Sequence, residues 1–242
     1  MRGWWREISG LVLPVSCGGC GRPRVELCEE CRAELYGPVP RRVRPAPEPV
    51  GLPVVHAAAA YENAVRAVLL AHKERGALGL AGALGKALAG AVRAGTGQVG
   101  PVGPLLLVPV PSARRAVAAR GHDPTRRIAL AATGELRRGG IRARVAGVLR
   151  QRRPVADQAG LGARQRHANL AGALEVVAGA ERLLAAGRVV LVDDLLTTGA
   201  SLAEAARAIG AAGGGDGGTP GSAQAAVVAV SPSAFEINRN CQ

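Results

Sequence analysis

Residues 188–201, RVVLVDDLLTTGAS, decide the fold of this 242-residue chain. Residues 189–192 are a continuous apolar run, which is typical of a strand buried on both faces of a parallel sheet. Asp193 and Asp194 follow, then a turn of small and hydroxyl residues, and residues 200–209 have the composition and spacing of a helix. Strand, turn and helix make one unit of an α/β fold. We therefore predict a twisted, mainly parallel sheet flanked by helices.

The turn in this segment is suited to a sugar phosphate. Ligands of such sheets bind outside the carboxyl ends of the strands, where the next helix offers unpaired N–H groups to an anion. Thr197, Thr198 and Gly199 suit a phosphate, whereas Asp193 and Asp194 would repel it but would hold vicinal hydroxyls or Mg²⁺. The alternative is that an aspartate or threonine only caps the helix and that the acids lie in a solvated turn.

A second turn of this kind follows the apolar strand predicted at residues 105–110. Small residues are followed there by two arginines, a composition that suits a pyrophosphate group. The alternative is an ordinary Pro-Ser turn with solvated arginines. The candidate contacts are Ser112, Ala113, Arg114 and Arg115.

Other segments extend the α/β pattern. We predict further strands at 54–61, 144–149 and 224–230, and helices at 63–74, 78–94 and 124–136. Residues 150–169 are polar and have little periodicity, and a loop of this length in a compact domain is usually functional or disordered.

Two CxxC pairs separated by seven residues lie near the N-terminus. Each pair can supply two corners of a tetrahedron, so this spacing indicates a structural zinc site. The alternative is a pair of disulfides or a redox pair, and disulfides would require an oxidising compartment. The predicted ligands are Cys17, Cys20, Cys28 and Cys31.

The N-terminal segment lacks the pattern of an export signal. Its apolar run is short, with Glu7 ahead of it and Pro14 within it. We therefore expect a cytoplasmic protein without a membrane span.

The net charge of +13 comes almost wholly from arginine, since only Lys73 and Lys86 are lysines among the 31 basic residues. The charge is compatible with nucleic-acid binding, or with coding bias together with arginines that line a phosphate-rich pocket. Aromatic residues are only 2% of the chain and are scattered, which does not favour stacking on single strands. The charge alone therefore decides neither interpretation.

Taken in order, the two CxxC pairs, VPVPSARR, ARGHDPTRRIA, PVADQAGLGARQRHANLAGAL and VVLVDDLLTTGAS resemble the ComF/GntX family of zinc-knuckle type I phosphoribosyltransferase-like proteins. The resemblance implies a zinc-knuckle module at residues 1–36, a Pro/Arg-rich linker at 37–53 and a domain of the type I phosphoribosyltransferase fold at 54–242.

The resemblance also implies binding of phosphoribosyl pyrophosphate with Mg²⁺ and transfer of phosphoribose to an acceptor that the sequence does not identify. Asp193 and Asp194 would hold the ribose hydroxyls directly or through Mg²⁺. The other implied roles are the 5-phosphate cradle (Thr197, Thr198, Gly199, Ala200, Ser201), the pyrophosphate contacts (Ser112, Ala113, Arg114, Arg115) and a lid that excludes water (Arg150, Gln158, Arg166).

The family's association with competence motivates an alternative function. In this hypothesis the chain handles single-stranded DNA during natural transformation and keeps the pocket only as a ligand sensor. One departure from the family pattern affects the enzyme hypothesis, because residues 120–124 read Arg-Gly-His-Asp-Pro where the family usually has Arg-Gly-Phe-Asn-Gln. The sequence does not indicate the oligomeric state.

Overall fold

The computed structural model describes residues 15–97, 103–153, 169–213 and 224–232. A six-stranded sheet has the order β1-β2-β8-β7-β3-β4, and every neighbouring pair in it is parallel except β1 with β2. Strands β5 and β6 form a separate antiparallel pair. The strands are β1 Arg41–Val43, β2 Val54–Ala60, β3 Leu105–Pro109, β4 Ala143–Val145, β5 Leu149–Gln151, β6 Leu174–Val176, β7 Arg188–Leu196 and β8 Gln224–Val230.

Seven helices among the described residues complete the mixed α/β architecture. They are α1 Glu29–Tyr36, α2 Asn63–Glu74, α3 Ala81–Thr96, α4 Arg114–Arg120, α5 Pro124–Arg138, α6 Glu181–Ala185 and α7 Ala200–Ala211, and a single 3₁₀ turn, Leu78–Leu80, precedes α3. The predicted architecture, a mainly parallel sheet flanked by helices, is confirmed.

Apolar side chains bury both faces of the sheet. Val190 and Val192 of β7 belong to the core that α2, α3 and α5 cover, while Leu191 belongs to the core beneath α6, α7 and the β5–β6 hairpin. The two cores alternate along β7 because successive strand residues point to opposite faces.

Small residues allow this core to be dense without aromatic side chains. The largest fully buried side chains are leucines and Ile128. Gly85 of α3 lies so close to α5 that a Cβ at this position would come within 2.7 Å of the Ala132 backbone nitrogen. The close approach of these helices therefore depends on the absence of a side chain at Gly85.

Residues 15–36 share the main core instead of forming a separate one. Leu27 and Leu35 are buried in the same cluster as Val68 of α2 and Leu84 of α3. This segment folds against the helices that cover one face of the sheet, so its cysteine cluster is part of the body of the molecule.

Three differences from the predicted elements change the sheet, whereas the other bounds shift by at most a few residues. Strand β7 continues through both aspartates to Leu196, because β8 pairs with it along its whole second half. The strand predicted at 144–149 is wrong, since β4 ends at Val145 and the chain then leaves the sheet to begin β5 at Leu149. The predicted linker contains β1, which pairs with β2 at the edge of the sheet.

Candidate ligand site at the switch point of the sheet

Strands β3 and β7 are parallel neighbours whose connections leave in opposite directions. After β3 the chain passes through α4 and α5 to β4 on one side, and after β7 it passes through α7 to β8 on the other. A crevice opens outside the carboxyl ends of two such strands, and ligands of open α/β sheets bind in it. Because Pro109 lies opposite Val192, the two turns identified from sequence both flank this crevice.

The acid pair lies near the carboxyl end of β7. Asp193 is opposite Val227 of β8, and the backbone N–H of Asp194 donates to Asp193 Oδ1 at 2.8 Å. Asp194 points to the face that α2 covers, where it meets a lysine.

The lysine is Lys73 in the last turn of α2. Its Nζ donates to Asp194 Oδ2 at 2.7 Å, and the side chains of Lys73 and Asp194 are 34% and 8% exposed. Sequence reasoning did not identify Lys73 as a site residue, since the two residues are 121 positions apart. The feature of the sequence that could have indicated Lys73 is its rarity, because it is one of only two lysines among 31 basic residues.

The charges of the three groups are strongly linked. Burial opposes ionisation of Asp194, but the Lys73 ammonium outweighs burial and lowers the pKa of that carboxyl below its usual value. Burial, together with the neighbouring carboxylate of Asp194, raises the pKa of Asp193 well above its usual value. The Lys73 ammonium offsets the charge of one carboxylate, which reduces the repulsion that an anionic ligand would meet.

The hydroxyl turn begins α7. Thr197 and Thr198 are partly buried, and Gly199 is the N-cap of the helix with a φ of +77°. This left-handed conformation favours glycine, and a Cβ there would also lie 3.0 Å from Leu52 Cδ1. The structure does not show the alternative in which these residues cap the helix. The N-cap residue, Gly199, has no side chain, and Asp194 is paired with Lys73. The first N–H groups of α7, including that of Ser201, can face an anion.

The opposite side of the crevice carries the two arginines. Ser112 and Ala113 lie in the loop after β3 and are half-buried, whereas Arg114 and Arg115 are exposed in the first turn of α4. Arg114 and Arg115 form no ion pair with any described residue. They therefore add two uncompensated positive charges beside the acid pair and its turn.

Two contacts hold α4 and its following turn against α2. Arg120 donates from Nε and Nη2 to both carboxylate oxygens of Glu74, at 3.0 and 2.7 Å. The rings of His72 and His122 meet edge to face with centroids 5.8 Å apart. Because His72 and Glu74 flank Lys73 in the chain, these contacts place α4 beside the lysine of the acid pair.

The predicted lid is only partly described. Arg150 lies in β5 and donates from Nε to Glu175 of β6 at 2.8 Å, while Gln158 and Arg166 lie outside the described residues. Glu204 of α7 accepts a hydrogen bond from the Leu174 N–H at 3.0 Å. The β5–β6 hairpin is thus attached to the helix that begins at the hydroxyl turn.

The four N-terminal cysteines form a cluster of metal-site dimensions. Their sulfur atoms all lie within 4.8 Å of one another. A tetrahedral zinc ion with bonds of about 2.3 Å would place its sulfurs about 3.8 Å apart, so the cluster is compatible with a structural zinc. None of the four is in a disulfide. The predicted ligands that the fold brings together are Cys17, Cys20, Cys28 and Cys31.

Backbone groups prepare this cluster for thiolates. Burial opposes ionisation of Cys17, but the backbone N–H groups of Cys20, Cys28 and Gly19 outweigh it and lower the pKa of Cys17 to about 6. The Cys28 N–H lies 3.4 Å from the Cys17 sulfur. Burial raises the pKa of Cys31, whose thiolate would need a cation nearby.

Asp194 Oδ2 does not fit direct coordination of the Mg²⁺ that the resemblance implies with the ligand. Mg²⁺ prefers near-octahedral oxygen ligands at about 2.0–2.1 Å. Asp194 Oδ2 has instead the Lys73 ammonium at 2.7 Å, and the two cations would repel each other strongly at this distance.

Comparison with models of known protein families and with curated proteins finds no match to this chain. Among the helices of the described residues, none is both long enough and apolar enough to cross a membrane.

Proposed function

We propose that this chain binds phosphoribosyl pyrophosphate in the switch-point crevice and transfers its phosphoribosyl group to an acceptor, with release of pyrophosphate. One observation carries the proposal. The acid pair near the end of β7, the hydroxyl turn after it and the arginine-bearing loop after β3 lie at the carboxyl ends of two adjacent parallel strands whose connections diverge. This arrangement supports the proposal, because it would offer groups for hydroxyls, for one phosphate and for a second anion around a single crevice.

The first two groups of the ligand would bind on the β7 side. The 5-phosphate would accept hydrogen bonds from the N–H groups at the start of α7 and from the hydroxyls of Thr197, Thr198 and Ser201. The ribose hydroxyls would bind to Asp193 and Asp194 directly, since the Lys73 ammonium already lies at Asp194 Oδ2.

The pyrophosphate would bind on the β3 side, at the loop of Ser112 and Ala113 and the guanidinium groups of Arg114 and Arg115. In the transfer, the bond between the anomeric carbon and the pyrophosphate oxygen breaks, and its electron pair leaves with pyrophosphate. A lone pair of the acceptor then forms the new bond to this carbon. The protein's contribution is placement and electrostatics, with arginines near the departing anion and carboxyls near the cationic sugar.

The β5–β6 hairpin is the proposed support of a lid. Its strand β5 carries Arg150, and its strand β6 contacts Glu204 of α7, the helix that begins at the hydroxyl turn. A cover at this place would keep water from the sugar cation before the acceptor attacks.

We also propose that zinc is the metal of the cysteine cluster and that its role is structural. Four cysteine ligands leave no open position for a substrate. We propose that the chain belongs to the ComF/GntX family. The zinc module and the assignment of the crevice together support this proposal. Binding of single-stranded DNA stays a prediction, because no described contact favours it.

Titration calorimetry with phosphoribosyl pyrophosphate tests the proposal. The wild-type chain should bind this ligand, and the double variant Asp193→Asn with Asp194→Asn should lose detectable binding because both hydroxyl contacts are weakened. A control variant, Glu29→Gln with Glu181→Gln, removes the same charge from exposed positions and should bind as the wild type does.

Circular dichroism should show that all three proteins are folded. A wild-type chain without affinity for the ligand, or a folded Asp193→Asn, Asp194→Asn variant with unchanged affinity, would contradict the assignment.

A further inference from the structure

Lys73 is the basic residue at the crevice that already forms an ion pair with one of the acids. Its ammonium donates to the nearly buried Asp194 at 2.7 Å, yet about a third of the lysine side chain, 34%, is exposed. The carboxylate of this ion pair is therefore shielded from solvent, whereas the amine is accessible to a ligand.

The ammonium retains hydrogen-bonding capacity. It has three N–H donors. In the part of the chain that the structure describes, its one hydrogen bond is to Asp194. Two donors of an exposed cation are thus free for a ligand, and an anionic oxygen is the acceptor that an ammonium binds best.

Contacts on both sides of Lys73 hold it beside the C-terminal end of α4, the helix that begins at the arginine-bearing loop. Glu74 is paired with Arg120 at the end of α4, and the His72 ring meets His122 just after it. The lysine therefore lies next to the acid pair and next to the helix that Arg114 and Arg115 begin.

We propose that Lys73 is a ligand-binding residue of this site, whose ammonium bridges Asp194 and an anionic oxygen of the ligand's diphosphate, in place of a divalent cation coordinated by the acid pair. The identity of the ligand rests on the proposed function. The bridging role rests on the ion pair, its exposure and the contacts around it.

The bridge has a consequence for metal dependence. With one cation of the protein already at the acid pair, inorganic pyrophosphate should bind in the presence of a chelator of divalent ions. Loss of the ammonium should weaken this binding, since the anion would then face Asp194 with no cation between them.

Calorimetry of phosphoribosyl pyrophosphate and of inorganic pyrophosphate, both in EDTA, tests the inference with three variants. Lys73→Met should lower the affinity for each ligand at least tenfold, and Lys73→Arg should retain part of it. The matched control is Lys86→Met, because Lys86, the other lysine, is exposed on α3 and lies over the Tyr36 ring at 4.7 Å. Lys86→Met should bind as the wild type does.

A second measurement uses the wild-type chain, so it does not depend on folding of a variant. The protein is acetylated with an amine-selective reagent with and without pyrophosphate, and the two lysines are quantified by mass spectrometry. Pyrophosphate should protect Lys73 several-fold and leave Lys86 unchanged.

The outcomes separate this inference from the proposed function. Equal affinity in folded Lys73→Met and wild type, or equal acetylation of Lys73 with and without ligand, overturns the bridge while binding of phosphoribosyl pyrophosphate still stands. A wild-type chain that binds neither ligand in EDTA overturns the bridge, and one that also fails to bind phosphoribosyl pyrophosphate in the presence of Mg²⁺ overturns both.

Discussion

Single residues set the charge and the metal affinity of this molecule. At the crevice, the Lys73 ammonium pairs with Asp194, one of two adjacent carboxyls near the end of β7. At the cysteine cluster, backbone N–H groups stabilise the Cys17 thiolate, whereas burial opposes that of Cys31, which needs a cation. Both clusters concentrate charge that is balanced by a named partner, and at the cysteines that partner is the proposed zinc.

Removing one cysteine ligand should therefore release the metal. We expect about one zinc ion per wild-type chain by elemental analysis. Cys20→Ser should lose most of this zinc and should lower the free energy of unfolding by several kcal/mol, because the ion contributes directly to folding. Cys20 is the exposed member of the cluster, so the substitution itself disturbs little packing.

Cys241 offers the matched control. It is the fifth cysteine of the chain and lies outside the described residues. Cys241→Ser should keep full zinc content. A wild-type protein without zinc, or a Cys20→Ser protein with as much zinc as the wild type, would refute the assignment.

The residues of the site differ in how far the sequence could predict them. Asp193 and Asp194 were predicted because their neighbours in the chain define a strand end. Lys73 was not, since its contact with Asp194 joins residues 121 positions apart and depends on how α2 packs on the sheet. Local patterns carry no information on such a contact.

At the scale of elements, the β5–β6 hairpin is attached to α7 by a small network. Glu204 is 5% exposed and accepts from the Leu174 N–H, while Arg207 donates to both Glu204 oxygens and to the Leu174 carbonyl. The network connects the support of the proposed lid to the helix of the proposed phosphate turn.

Breaking this network should destabilise the protein more than breaking an exposed pair of the same hairpin. Glu204→Ala leaves the Leu174 N–H without its acceptor and should cost about 1–3 kcal/mol in urea unfolding. Glu175→Ala removes only the exposed pair with Arg150 and should cost about 1 kcal/mol or less. Equal losses in the two variants would argue against the network.

The same carboxylate predicts a pH dependence. Burial opposes ionisation of Glu204, but the hydrogen bond from Arg207 and those from the backbone outweigh it and lower its pKa from 4.5. The stabilisation is therefore complete above pH 4.5 and is lost as the pH falls through the lowered pKa of the folded state. Below pH 4.5 the stability difference between Glu204→Ala and the wild type should shrink.

Elements with strong periodicity were predictable, and weak edge elements were not. Helix α2 and strand β8 have the predicted bounds, because an amphipathic stripe or a buried apolar run defines them locally. Strand β1 was missed because Arg41–Val43 is short, lies among prolines and is a strand only through its pairing with β2. The break after β4 depends likewise on where the chain leaves the sheet.

At the scale of the whole molecule, the order of the strands determines which groups lie around the crevice. The sequence predicted a parallel sheet and two ligand-facing turns, but it could not show that β3 and β7 are neighbours. That adjacency arises from packing of residues far apart in the chain. It brings the acid pair, the hydroxyl turn and the arginines to one edge.

The most direct test of the central claim is a crystal structure of the chain with phosphoribosyl pyrophosphate bound. We expect the 5-phosphate at the turn of Thr197–Ser201 and the ribose hydroxyls at Asp193 and Asp194. The pyrophosphate should lie between Lys73 and the loop of Ser112–Arg115. A ligand bound away from the carboxyl ends of β3 and β7, or one in this crevice with its pyrophosphate at α7, would contradict the account.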